Sequence, residues 1–160
     1  TFLTSMALSY IASDISQNLS WYFAIVVLFT IIFIGIVFDI LGVAITTADE
    51  TPFHALASKK KRGAKQAIRL VRNAEKMSSF CNDVIGDIAG IISGSTTAAI
   101  VVYLVTLINV KDDTVISMIL TAVTAALTVG GKALGKSFAI NNANKIVYTF
   151  AKILSVFTRK

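Results

Sequence analysis

Between Trp21 and Thr47 the chain reads WYFAIVVLFTIIFIGIVFDILGVAITT, 27 residues with a single charge, Asp39. About 20 apolar residues cross the hydrocarbon core of a bilayer as a helix, so this segment spans with length to spare for tilt. In lipid each backbone N–H and C=O must be satisfied within the protein, and a single segment achieves this only as a helix. Trp21 and Tyr22 at its start suit an interfacial anchor.

Two further segments follow the same logic. Residues 79–109 carry Asp83 and Asp87 near their start, then 23 uncharged residues up to Val110. Residues 114–136 carry Lys132 near their end. The polar turn NVKDDT joins them, which makes a helical hairpin. Residues 1–20 form an N-terminal hydrophobic segment. Its apolar part, Thr1–Ser13, has 13 residues and is too short to span alone. We read it as the end of an extra helix that starts before Thr1, rather than an interfacial stub. No charged region precedes it, so no cleavable signal peptide is expected. The composition agrees with a membrane protein: 55% hydrophobic, 15% charged, mean hydropathy +0.75. Soluble domains are about 45–50% apolar. Cys81 is the only cysteine, which excludes an internal disulfide and a cysteine metal cluster.

Two stretches are amphipathic rather than apolar. Thr51-Pro52 fits an N-cap followed by Pro at the first helical position. Phe53, Leu56, Ala57, Ala64, Ala67, Ile68 and Val71 then recur at roughly helical spacing, which predicts a surface helix over 51–76. The tail, 141–158, repeats the plan with Ile146, Val147, Phe150, Ile153, Leu154 and Phe157. Such helices lie in the headgroup plane and bind anionic lipid. Position between spans argues against packed soluble helices.

The basic residues decide orientation. Eight lie between 59 and 76 and six lie from Lys132 onward; Lys111 alone lies elsewhere, so fourteen of fifteen share one side. The positive-inside rule makes that side cytoplasmic, including residues 50–76 and 137–160. The net charge of +6 is therefore a topology signal, and nucleic acid is not an expected partner. The expected fold is an all-α integral membrane protein of the plasma membrane. It has three transmembrane helices, a partial N-terminal helix and two cytoplasmic amphipathic juxtamembrane helices.

Ionisable residues within a span cost several kcal/mol unless paired, hydrated or bound to an ion. Four occur here: Asp39, Asp83, Asp87 and Lys132. Counted from the charges that end each segment, all fall in the cytoplasmic part of the bilayer. Asp83 and Asp87 are i,i+4, on one face of an α-helix. With Asn82 they make an oxygen-rich group of the kind hard cations prefer. The competing reading pairs Asp39 and Asp87 structurally with Lys132. Gly86, Gly90 and Gly94 form GxxxGxxxG, and Gly131 and Gly135 form GxxxG, which is a close-packing signal within the bundle or across a dimer. Ser93, Ser95, Thr96 and Thr97 either line a path or bond back to their own helix. His54 is alone and reads as a headgroup contact. Gly130…Gly135-Lys136-Ser137 matches the phosphate-loop string, but it follows a span rather than a strand. No nucleophile–base pair can be named, so an enzyme is not expected.

The order FDILGVA (38–44), LASKKKRGAK (56–65), NAEK (73–76), CNDVIGD (81–87) and GKALGKS (131–137) resembles the transmembrane domain of the CorB/CorC and cyclin M (CNNM) magnesium transporters. The resemblance covers roughly residues 25–158. It implies a homodimer that moves Mg²⁺ or another divalent cation. Carried over by position, the family's first-span serine becomes Asp39. Its asparagine pair becomes Asn82 with Gly86 or, shifted by one, Asp83 with Asp87. Its third-span glutamate becomes Lys132, and the motif proline becomes Gly135. The resemblance thus implies Asp39, Asn82, Asp83 and Asp87 as cation ligands, with Lys132 as a counter-charge. The alternative is a scaffold or accessory subunit that recruits a membrane partner, with Lys132 in the cation's place. The chain ends before the paired cytoplasmic domains that many relatives carry, so nucleotide-linked regulation within it is not expected.

Overall fold

A computed structural model of the protein describes Met6, Tyr10 and residues 21–108 and 114–157. The expected N-terminal helix over 1–20 (those two residues apart) and most of the turn NVKDDT lie outside the described residues. No strand occurs among the described residues. The helices are α1 (Trp21–Thr47), α2 (Thr51–Ser58), α3 (Ala64–Arg72), α4 (Ala74–Ser79), α5 (Gly86–Ile108), α6 (Thr114–Asn141) and α7 (Ala143–Phe157). A π-helical turn, Phe80–Ile85, joins α4 to α5. Three helical runs are long and apolar enough to cross a membrane: α1, the continuous run Ala74–Ile108, and α6.

Besides α6, which runs to Asn141 rather than to 136, the boundaries differ from the sequence reading in two places. The region 51–76 is three helical pieces rather than one. Lys60 and Gly63 take positive φ, 54° and 85°, and turn the chain between α2 and α3. Asn73, at φ −108° and ψ 32°, breaks α3 from α4. Beyond Asn73 the helical run continues through the π turn to Ile108, so the second long run starts at Ala74.

The chain divides into two compact units, Thr1–Ile36 with Ile85–Gly131, and Val37–Val84 with Lys132–Lys160. In the first unit Ala24, Leu28 and Ile32 recur every fourth residue along α1 and pack with Ile100 of α5. Gly35 permits close approach: a Cβ there would stand 3.0 Å from that of Ala89. Gly131 packs against Ile36, whereas a Cβ at Gly90 or Gly94 would meet nothing within 4 Å. The hydroxyls of Ser93, Ser95 and Thr97 on α5 bond back to their own helix. Ser93 donates to the carbonyl of Gly90 and Thr97 to that of Ser93, and Thr97 also pairs with Thr124 at 3.2 Å. Phe23, Val26, Phe29 and Phe33 of α1, with Met118, Ile119 and Val123 of α6, are exposed. Apolar surface of this extent calls for a lipid or protein cover.

The second unit is built from the end of α1, α2 to α4, the π turn, the end of α6, and α7. Phe53 is 1% exposed at the centre of a core that includes Leu41, Ile45, Leu70 and Val147. Ala64, Ala67 and Ala151 are fully buried, and such small side chains allow α3 and α7 to lie close. The closest point is Gly63, where a Cβ would stand 2.8 Å from the Lys152 backbone. The apolar stripes of the two amphipathic stretches are thus buried on each other to a large extent. Position between spans does not exclude protein packing, because the alanines make the stripes complementary. Ile153 and Val156 of α7 remain exposed.

The start of α2 is held by charge. Thr51 is the first helical residue, and the capping oxygen belongs to Asp49, whose Oδ1 accepts from the Thr51 N–H at 3.0 Å and hydroxyl at 2.9 Å. The hydrogen bond from the Thr51 backbone is the main reason the Asp49 carboxyl titrates below its ordinary value. Glu50 accepts from Arg72 Nε at 2.6 Å and pairs with His54 Nε2 at 2.8 Å. The Arg72 hydrogen bond, then that of His54, holds Glu50 below the usual carboxylate range. His54 therefore has a protein partner.

Candidate functional site

Asp39 sits in the second unit on the inward face of α1, only 6% exposed. Lys132, near the C-terminal end of α6, places its Nζ 3.9 Å from Asp39 Oδ1. That separation makes an ion pair but exceeds the 2.7–3.2 Å of a hydrogen bond. The second oxygen, Asp39 Oδ2, is buried with no hydrogen-bond partner among the described residues.

Asn82 lies in the π turn. Its Nδ2 donates to Ser78 Oγ at 3.3 Å, while its Oδ1 is buried and also without a hydrogen-bond partner. The amide rests on α1 at Gly42, where any Cβ would collide with Asn82 Oδ1. Gly42 is three residues beyond Asp39, about 4.5 Å along the helix axis. The two unsatisfied oxygens therefore belong to side chains seated about one turn apart on α1. Leaving a buried carboxylate oxygen without a donor or cation is costly, and such groups mark places where water, an ion or function completes the structure.

Asp83 and Asp87 are placed differently. Asp83 is exposed and accepts a short hydrogen bond from Ser79 Oγ. Asp87 opens α5, in the first unit, and is also exposed. Residues at i and i+4 share one helical face only in an α-helix. Asp83 instead lies in a π turn, where hydrogen bonds run from i to i+5 and the face relation changes. Among the described residues no three His, Cys, Asp or Glu side chains gather as a metal-holding group. Within about one turn of α1 the structure buries one carboxylate oxygen and seats one amide oxygen, with one ammonium beside the carboxylate. Oxygen donors of this kind suit Mg²⁺, which keeps several waters and takes one or two carboxylates.

Gly42 is the site residue that patterning of charges did not single out. Its signal was its place in FDILGVA, one turn after a buried acid. Gly130, Gly131 and Gly135 lie within continuous α6, so the phosphate-loop string is helix.

Three membrane-length helices, packed through small residues and carrying a buried acid, define a multi-pass α-helical membrane protein. Residues 25–159 match the model of the cyclin M transmembrane N-terminal domain, and the chain belongs to that family. The family is associated with divalent-cation transport and is a transporter-type domain rather than an enzyme family. No curated protein and no solved structure matches the chain.

Proposed function

We propose that the protein is a CorB-like transport protein for Mg²⁺ or a related divalent cation such as Co²⁺, in the plasma membrane. The observation that carries this reading is the pair of buried unsatisfied oxygens, Asp39 Oδ2 and Asn82 Oδ1. A partly hydrated cation is the cargo, and these atoms would replace part of its water shell. Lys132 is the resident counter-charge. At 3.9 Å it neutralises Asp39 without occupying the free oxygen, so a cation must displace it or share the carboxylate. Asp83, exposed in the second unit, serves as an acidic approach rather than as a ligand of the same shell. The fourteen basic residues gathered on one side make residues 50–76 and 137–160 cytoplasmic. The open faces of Gly90 and Gly94 suit contact with a second copy in a homodimer.

The test is Mg²⁺ flux into proteoliposomes. Asp39→Ala is expected to reduce it to background and Asn82→Ala to lower it strongly. Unchanged flux in Asp39→Ala would sink the assignment. The Lys132–Asp39 pair also favours a second reading, a non-transporting scaffold in which lysine stands in for the ion. Lys132→Gln separates the two: a transporter keeps or gains flux when the competing charge is removed. A scaffold has no flux before or after the change, and loses stability because Asp39 is left buried and unpaired.

A further inference from the structure

The second unit carries a groove of about 410 Å³ that the transport reading does not use. Arg69, Leu70, Asn73, Lys76 and Met77 line it from one side, and Leu154 of α7 closes the other. Asn73 lies three or four residues from each of Arg69, Leu70, Lys76 and Met77, so one helical face continues across the break there. The groove therefore alternates charge and apolar surface along its length. Leu70, Met77 and Leu154 supply the apolar floor, and Arg69 and Lys76 are exposed at the rim.

Neither rim cation is spent within the protein. Arg72 and His54 share Glu50, and Lys132 faces Asp39, but no ion pair engages Arg69 or Lys76 among the described residues. Lys76 and Met77 lie in the opening turns of the helical run that crosses the membrane. The groove thus sits where a run long and apolar enough to cross a membrane begins, on the side where the basic residues gather. A guanidinium and an ammonium flanking an apolar floor match one occupant: a phosphate diester with acyl chains beside it.

We infer that this groove is a binding site for an anionic phospholipid, which braces α3 and α4 against α7 at the bilayer surface. The occupant is a lipid rather than free phosphate because the floor is apolar and the location is the membrane interface.

Lipid titration of the full chain in detergent, followed by native mass spectrometry, tests it with phosphatidylglycerol and phosphatidylcholine as probes. Arg69→Gln with Lys76→Gln is compared with Lys59→Gln with Lys61→Gln, a basic pair outside the groove. All are surface changes, and circular dichroism checks equal helix content. At about fivefold per basic residue, phosphatidylglycerol affinity is expected to fall about 25-fold in the groove pair. It is expected to fall less than about threefold in the outside pair, and millimolar inorganic phosphate should not displace the lipid. Equal losses in the two pairs would mean diffuse charge attraction and overturn the site. Equal binding of phosphatidylcholine, or displacement by inorganic phosphate, would overturn it as well. None of these readouts depends on ion transport.

Discussion

The two compact units differ in the buried polarity they leave open. In the first, Ser93 and Thr97 are buried, yet each hydroxyl donates to a carbonyl of its own helix. In the second, Asp39 and Asn82 each keep a buried oxygen that no hydrogen bond among the described residues satisfies. The first pattern costs little, because a hydroxyl on a helix always has a carbonyl three or four residues back. The second is expensive and is maintained by tight surroundings: Gly42 under the amide and Lys132 beside the acid. Polarity that is satisfied locally is architecture. Polarity that is buried and left open marks where the protein meets something else.

The largest effect is expected where the open polarity is removed. Asp39→Ala should lower Mg²⁺ flux by about 100-fold, since even partners one shell away from a metal are worth about 10–100-fold. Ser93→Ala, the matched change in the first unit, should alter it less than about twofold. Comparable losses in both would erase the distinction between the units.

Next comes the scaffold of the second unit. Gly63→Ala forces a side chain into the left-handed region at φ 85° and toward the Lys152 backbone. A loss of about 2 kcal/mol or more is expected, read as a lower midpoint in thermal unfolding in detergent. A midpoint unchanged from the parent would mean that α7 is not seated on this turn.

A finer probe is Gly42→Ala. The new methyl group meets the Asn82 amide, a side chain that can yield, so stability should change by less than about 1 kcal/mol. Mg²⁺ affinity should nevertheless drop about tenfold, because the amide oxygen is moved. Half-saturating Mg²⁺ in the flux assay measures this, and an unchanged value would separate Asn82 from the site.

The smallest effect concerns acid. Glu50 is held below its ordinary value first by Arg72, so the folded state favours the carboxylate. That contribution is fully present above the unfolded value, near 4.5, and is lost as pH falls through the lower folded value. Arg72→Gln should therefore flatten the acid side of the stability–pH curve by slightly lowering stability at neutral pH while leaving the acid end unchanged. An acid limb identical to the parent's would assign the dependence to other carboxylates, with Asp49 the first candidate.

Much of the fold was legible along the chain. The long apolar run Trp21–Thr47 and the uncharged run after Asp87 announced helices, because lipid leaves the backbone of such segments no other conformation. The α2 start was legible from Thr51-Pro52 to within a residue, although the capping oxygen came from Asp49. The break at Asn73 and the turn at Lys60 and Gly63 were not. A basic amphipathic pattern reads the same whether its apolar stripe faces lipid or another helix.

The site divides along the same line. Asp39 and Lys132 stood out because charge inside a span is costly and must find a partner, and they do meet. Asp83 and Asp87 stood out by spacing, but spacing has meaning only for a known helical pitch, and the π turn changes that pitch. Composition, length and the side on which the basic residues gather were sufficient for a multi-pass membrane protein, since solvent alone imposes those rules. Which buried oxygens share a turn of α1, and which cations stay unpaired beside Leu154, depended on packing between segments distant in sequence. No local pattern encodes that, because it arises from the shapes of surfaces that meet only after the chain has folded.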